Sequence, residues 1–131
     1  MEVAKPTVVL SSDVLDSLRE LQSEDDPHFL ANLMTLFLSS LNSKVAMIGK
    51  ASRSGDAKIL ASEAHALKSS SGNVGATVLS GLCESLEKLG KTGVTEGSLP
   101  VVILLDQESA RVRAAIAELP EMKAFVASQA A

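Results

Sequence analysis

A single cysteine, Cys83, occurs among the 131 residues. It has no partner for an internal disulfide, and one cysteine with two histidines falls short of a four-ligand zinc site unless carboxylates join. Trp and Tyr are absent and Phe occurs three times, which leaves the core to Leu, Ile, Val, Ala and Met, a set dominated by good helix formers. Basic residues are outnumbered 12 to 16, for a formal net charge of −4, and Lys and Arg cluster nowhere. No nucleic-acid partner is therefore expected. Long apolar runs are missing as well: residues 29–38 are interrupted by Asn32 and Thr35, and residues 101–105 stop at Asp106. Both fall well short of the roughly 20 apolar residues of a membrane span. Residues 1–10 carry no basic stretch followed by a long apolar core, so no secretory signal is legible and the expected location is the cytoplasm.

What is present is enough for one core, with 46% hydrophobic and 21% charged residues. Residues 1–10 read as an N-terminal lead containing Pro6, with an alternation over residues 7–10 too short for a strand. Ser11 or Ser12 can cap a short helix whose apolar positions are Val14, Leu15, Leu18 and Leu21. Asp26 then reads as a cap and Pro27 as the first residue of a long helix reaching about residue 52, with Leu30, Met34, Phe37, Leu41, Val45 and Ile48 at helical spacing. Ser54-Gly55-Asp56 serves as stop and restart, Gly55 adopting the left-handed conformation and Asp56 capping the next helix.

A third helix from 57 to about 72 has a narrow core side, Leu60, Ala64, Leu67 and Ser71. After Gly72-Asn73-Val74-Gly75, Leu79, Leu82, Cys83, Leu86 and Leu89 form a fourth stripe, ended by Gly90. Ser98 and Pro100 suit the start of a fifth helix, with Val102, Leu105, Val112, Ile116 and Leu119 inward and Pro120 as its stop. Four long amphipathic helices with short connections predict an all-α protein, an antiparallel four-helix bundle with a short N-terminal capping helix. The expected organisation is a lead over 1–10, the bundle domain over 11–120, and a tail or short helix over 121–131.

On the third helix, Ala61, Ser62, Lys68, Ser69 and Gly72 share the face of His65. That face flanks the core stripe, so the imidazole should be open to solvent. Its small neighbours would let a large partner approach a nucleophile, and Lys68 one turn away offers positive charge to a phosphoryl group.

The run Ala64-His65-Ala66-Leu67-Lys68-Ser69-Ser70-Ser71-Gly72-Asn73-Val74-Gly75-Ala76 resembles the signature of histidine-containing phosphotransfer (HPt) domains. The resemblance spans about residues 11–119, since the helix order and the short first helix also match. It departs at Ser69, where many members have Gly. The resemblance implies that His65 accepts a phosphoryl group on Nε2 from a receiver-domain aspartate and passes it to another receiver. It also implies that Lys68 balances phosphate charge and that Gly72 and Gly75 let the next helix pack closely. Glu87 and Lys91 fall where members place a Gln or a charged residue near the imidazole. The expected partners are receiver domains of response regulators or hybrid histidine kinases. No cofactor belongs to this chain, magnesium resides in the receiver, and the protein is a monomeric phosphoryl carrier without catalysis of its own.

Plainer readings stand beside these. His65 could be a surface histidine on a helical docking adaptor that carries no phosphate. His28 reads as a surface residue, Cys83 as a small buried hydrophobe, and Ser69-Ser70-Ser71 as small helix residues rather than a regulatory tract. An enzyme built on Cys83 or His65 would need a convergent pocket that the sequence does not offer. Phe29, Leu33, Leu36 and Leu38 exceed what one helix face can bury, so some must be exposed, cover the first helix or dock a partner.

Overall fold

The computed structural model describes residues 8–130. Most of the predicted lead, residues 1–7 with Pro6, and Ala131 lie outside the described residues. The elements are α1 (Ser12–Arg19), α2 (Phe29–Ser54), α3 (Ala57–Asn73), α4 (Thr77–Lys91), α5 (Leu99–Ala117) and α6 (Pro120–Gln129). Helix α2 packs on α3, α3 on α4, α4 on α5, and α5 returns to α2. The four long helices thus close the predicted bundle, whose core holds Leu30, Met34, Leu41 and Ile48 of α2 against Leu60 and Leu67, Leu79 and Leu86, and Leu105, Val112 and Ile116. No described helix is long and apolar enough to cross a membrane.

The helix starts show where local chemistry decided and where it did not. Ser11 caps α1, its hydroxyl accepting from the Val14 amide at 3.3 Å. Leu21, predicted to face inward, lies beyond the end of α1 and is 62% exposed. The predicted start of α2 is also corrected. Pro27 is in a turn before the helix, the first helical residue is Phe29, and His28 occupies the cap position without a side-chain bond. The Leu30 amide is satisfied instead by Gln22 Oε1 at 3.1 Å, a side chain supplied by the α1–α2 connection. A residue eight positions upstream, folded back, does what Asp26 was expected to do.

The α2–α3 turn forms as predicted, with Gly55 left-handed at φ 80° and the Asp56 side chain accepting from the Ile59 amide at 3.0 Å. Ser98 precedes α5, but its buried hydroxyl shares a 2.6 Å hydrogen bond with Ser52 of α2 rather than capping its own helix. Pro120 both follows α5 and opens α6, so the end of the chain is the short-helix alternative rather than a tail. Helix α6 packs on α2 and α5 and is tied to α1 by the Arg19–Glu121 ion pair at 2.6 Å.

Gly90 corrects a further expectation. It does not end α4, which runs on to Lys91, and it is buried against α3. A Cβ added there would come within 2.8 Å of both the Ala57 carbonyl oxygen and the Ala61 amide nitrogen. Leu82 and Leu89, assigned to the same stripe, are half-buried at its edges. Gly90 is therefore a point of close approach between α3 and α4. Gly81, on the same helix, has nothing within 4 Å of an added Cβ.

The two glycines should respond oppositely to alanine. Gly81→Ala is expected to raise unfolding stability by about 0.5–1 kcal/mol through helix propensity. Gly90→Ala is expected to lower it by roughly 1–3 kcal/mol through overpacking. Urea unfolding of both variants checks this.

Candidate functional site

Helix α3 turns Leu60, Ala64, Leu67 and Ser71 into the core, as predicted, and this places His65 on its flank toward α4 with a side chain 62% exposed. Across the α3–α4 contact stands Glu87, whose side chain is only 4% exposed. One turn after Glu87 comes Gly90, and the absence of a side chain there brings the carboxylate against α3. Glu87 Oε2 lies 2.8 Å from His65 Nδ1 and 3.1 Å from Lys91 Nζ, while Oε1 lies 2.6 Å from Lys68 Nζ.

This buried carboxylate organises the site. The Lys68 and Lys91 hydrogen bonds lower its pKa most, burial opposes them, and His65 adds to the lowering; the result moves from 4.5 to about 2. The Lys68 pKa is raised in turn, chiefly by its hydrogen bond to Glu87. An ionised carboxylate can only accept hydrogen bonds, so His65 Nδ1 must be the donor. In the neutral ring the lone pair is then on Nε2, the nitrogen turned away from Glu87. The arrangement fixes the tautomer and leaves a nucleophilic nitrogen on an exposed side chain.

The predicted site residues do not all act as expected. Lys68 is beside the site, but its ammonium is directed to Glu87. Ser69 is exposed, and its hydroxyl donates to the His65 carbonyl at 3.3 Å. Gly72 is exposed, and an added Cβ would find only Ser80 Oγ at 3.8 Å, so it is not what brings the next helix close. Gly75 does require glycine, at φ +83°, but what approaches it is α1: an added Cβ would sit 3.1 Å from the Ser11 nitrogen and from Val14 Cβ. The Ser11 amide donates to the Gly75 carbonyl at 2.8 Å, docking α1 on the α3–α4 turn. Gly90 was missed in the close-packing role. Its signal was its register, since it continues the Leu79, Cys83, Leu86 face by one more turn.

Helix α3 borders two depressions, one of which reaches the imidazole. A groove of about 620 Å³ between α3 and α4 is floored by Ala57, Ala61 and Gly90, with Lys58 and Lys91 among its lining residues and His65 and Glu87 at one end. Between α2 and α3 a smaller one of about 220 Å³ includes Leu33, Leu36, Ser70 and Asn73. Of the four surplus apolar residues of α2, Leu36 is the one left open, 71% exposed, while Phe29, Leu33 and Leu38 are half-buried. Cys83 is fully buried, and burial pushes its thiol up to about 12. His28 is exposed with its ring edge-on to Phe125, centroids 5.2 Å apart.

The sequence model of the Hpt domain matches residues 32–121. The crystal structure of histidine-containing phosphotransfer protein B (HptB) from Pseudomonas aeruginosa PAO1 is similar over 85% of this chain and 93% of its own, with a TM-score of 0.76 and 27% sequence identity. No curated protein sequence matches the chain.

The lowered Glu87 pKa has a consequence for acid stability. A carboxyl whose folded pKa lies below its unfolded value stabilises the fold above the unfolded pKa, and loses that contribution as pH falls through the folded one. For Glu87 the window runs from about 4.5 down to about 2. Glu121, held low chiefly by Arg19, adds to the same acid loss. The fall in urea midpoint between about pH 5 and about pH 2 should therefore be smaller in Glu87→Gln than in the unaltered chain, but not zero.

Proposed function

This chain belongs to the Hpt domain family and works in histidine phosphotransfer within a phosphorelay, and we propose that its phosphoacceptor is Nε2 of His65. The observation that carries this assignment is the pairing of an exposed imidazole with a buried carboxylate at 2.8 Å from Nδ1. It turns Nε2 outward with its lone pair free. The other histidine, His28, lies before α2 against Phe125 and has no such partner among the described residues.

In this reading a receiver domain presents an aspartyl phosphate to His65. The Nε2 lone pair attacks phosphorus, and the receiver carboxylate leaves with the electron pair of the broken P–O bond. The transfer is positioning and electrostatics, with little covalent chemistry for the carrier itself to do. Lys68 and Lys91, both held at Glu87, keep positive charge beside the incoming phosphoryl group. Magnesium belongs to the receiver, because the carboxylate beside His65 already accepts from two ammonium groups and the imidazole. The chain is a phosphoryl carrier with no turnover of its own, acting as a monomer in the cytoplasm. Its partners are receiver domains of response regulators or hybrid histidine kinases. The exposed Leu36 and its neighbour Leu33, lying beside α3 on the opposite side from the larger groove, supply the apolar part of the docking face.

Phosphorylated receiver domains should label the wild-type chain with acid-labile phosphate and leave His65→Gln unlabelled, with unchanged helical circular dichroism because the imidazole is largely outside the core. No label on either folded protein would favour the docking-only adaptor instead. Leu36→Asp should weaken receiver binding by about tenfold, the scale of one interface side chain, while leaving thermal stability within about 0.5 kcal/mol.

A further inference from the structure

The connection between α1 and α2, residues 20–28, is tied down along its length. At its start, Arg19 forks onto Glu121 of α6, Nε to Oε2 at 2.6 Å and Nη2 to Oε1 at 3.2 Å. At its end, the His28 ring meets Phe125, one turn further along α6. Between these anchors Gln22 Oε1 accepts from the Leu30 amide at 3.1 Å, and the Asp26 amide donates to the Ser23 carbonyl at 3.1 Å. Helix α6 has no fully buried residue of its own, so bracing this connection is a larger part of what it does than filling the core.

The bracing fixes an apolar side chain in water. Leu21 stands between the anchored Arg19 and Gln22, its amide donates to the Leu18 carbonyl at 3.1 Å, and it is 62% exposed. A leucine on a slack loop loses conformational freedom when a partner covers it, whereas on a braced loop most of that ordering is complete before the partner arrives. Leu21 is also continuous with the apolar face already described. A depression of about 330 Å³ is lined by Val14, Leu18, Leu21 and Asn73, and Asn73 also lines the one that holds Leu33 and Leu36. The two make one trough over the end of α3, with Leu21 on its α1 side and Leu36 on its α2 side.

Resting on the docking reading above, we propose that the Arg19–Glu121 pair is a positioning device for the receiver interface, holding Leu21 as a second apolar contact beside Leu36. Helix α6 thereby supports the docking face from behind. The connection that carries Leu21 also carries the exposed acids Glu20, Glu24, Asp25 and Asp26, so the receiver surface that fits it has Lys or Arg beside its own apolar patch.

The test measures kcat and KM for phosphotransfer from the phosphorylated receiver domain that labels the full-length wild type fastest, with labelling by phosphoramidate, a small donor that needs no docking, run in parallel. Leu21→Ala should raise KM roughly five- to tenfold and leave kcat and phosphoramidate labelling within about twofold. Glu121→Lys, which sets two cations against each other, should raise KM about threefold or more, and adding Arg19→Glu to it should bring KM back to within about twofold of wild type. A wild-type KM in Leu21→Ala overturns the contact. A wild-type KM in Glu121→Lys, or a raised KM that Arg19→Glu does not reverse, overturns the positioning role. If Glu121→Lys does not fold, Glu121→Gln takes its place, with a raised KM expected and an unchanged one overturning the role. An equal fall in receiver transfer and phosphoramidate labelling in Leu21→Ala also overturns the proposal, because lost docking spares the small donor. If phosphoramidate labels the wild type and His65→Gln equally, the assignment of His65 fails first, an outcome distinct from a labelled His65 with an unchanged KM.

Discussion

The arrangement at His65 depends on how closely α3 and α4 approach at Gly90. Any side chain there would run into the backbone of Ala57 and Ala61, and the two helices would have to separate. Glu87, one turn away, would then move off His65 and gain access to water. With the helices in contact, the carboxylate is desolvated, and it tolerates burial because three donors reach it. A buried charge without such partners would be strongly unfavourable. Packing and electrostatics are one constraint here, since the glycine sets the distance and the distance makes the carboxylate an organiser of imidazole and ammonium groups.

The rest of the molecule holds that contact in place. Helix α2 carries much of the buried core, and the tight turn at Gly55 and Asp56 returns the chain directly into α3. The α3–α4 turn is braced by α1, which docks on Gly75 through the Ser11 amide. At the other end of the chain, α6 packs on α2 and α5 and reaches α1 through Arg19 and Glu121. The capping helix and the terminal helix are thus joined to each other as well as to the bundle. His65 itself takes little part in this framework. An exposed ring on a rigid helix can change its covalent state without disturbing the core.

Much of this was legible because it obeys local rules. Helical periodicity located the inward faces of α3 and α5, and the Gly55-Asp56 pair announced its turn. What was misread or left open has a common form. Pro27 and Asp26 made a plausible helix start by local chemistry, but Gln22 folded back to satisfy the Leu30 amide and the helix began later. Gly90 was read as a helix stop and Gly72 as a packing glycine, yet Gly90 is the one packed against its neighbour and Gly72 lies exposed within α3, because close approach is a property of two helices and not of one. Leu36 could not be told from Leu33 and Leu38 by sequence, since exposure at the edge of a helix face depends on which neighbour covers it.

The sequence by itself determined the class of fold and the exposure of His65 on the flank of its helix. Periodicity, turn residues and the small residues around His65 are all encoded within one or two helical turns, where neighbours in sequence are also neighbours in space. The tertiary structure decided what surrounds the imidazole. Glu87 is 22 positions from His65, and whether it lies in solvent or against Nδ1 depends on the spacing of two helices. The direction of Lys68, drawn to that carboxylate, is set by the same spacing. Charges act through distance, and only folding set the distances.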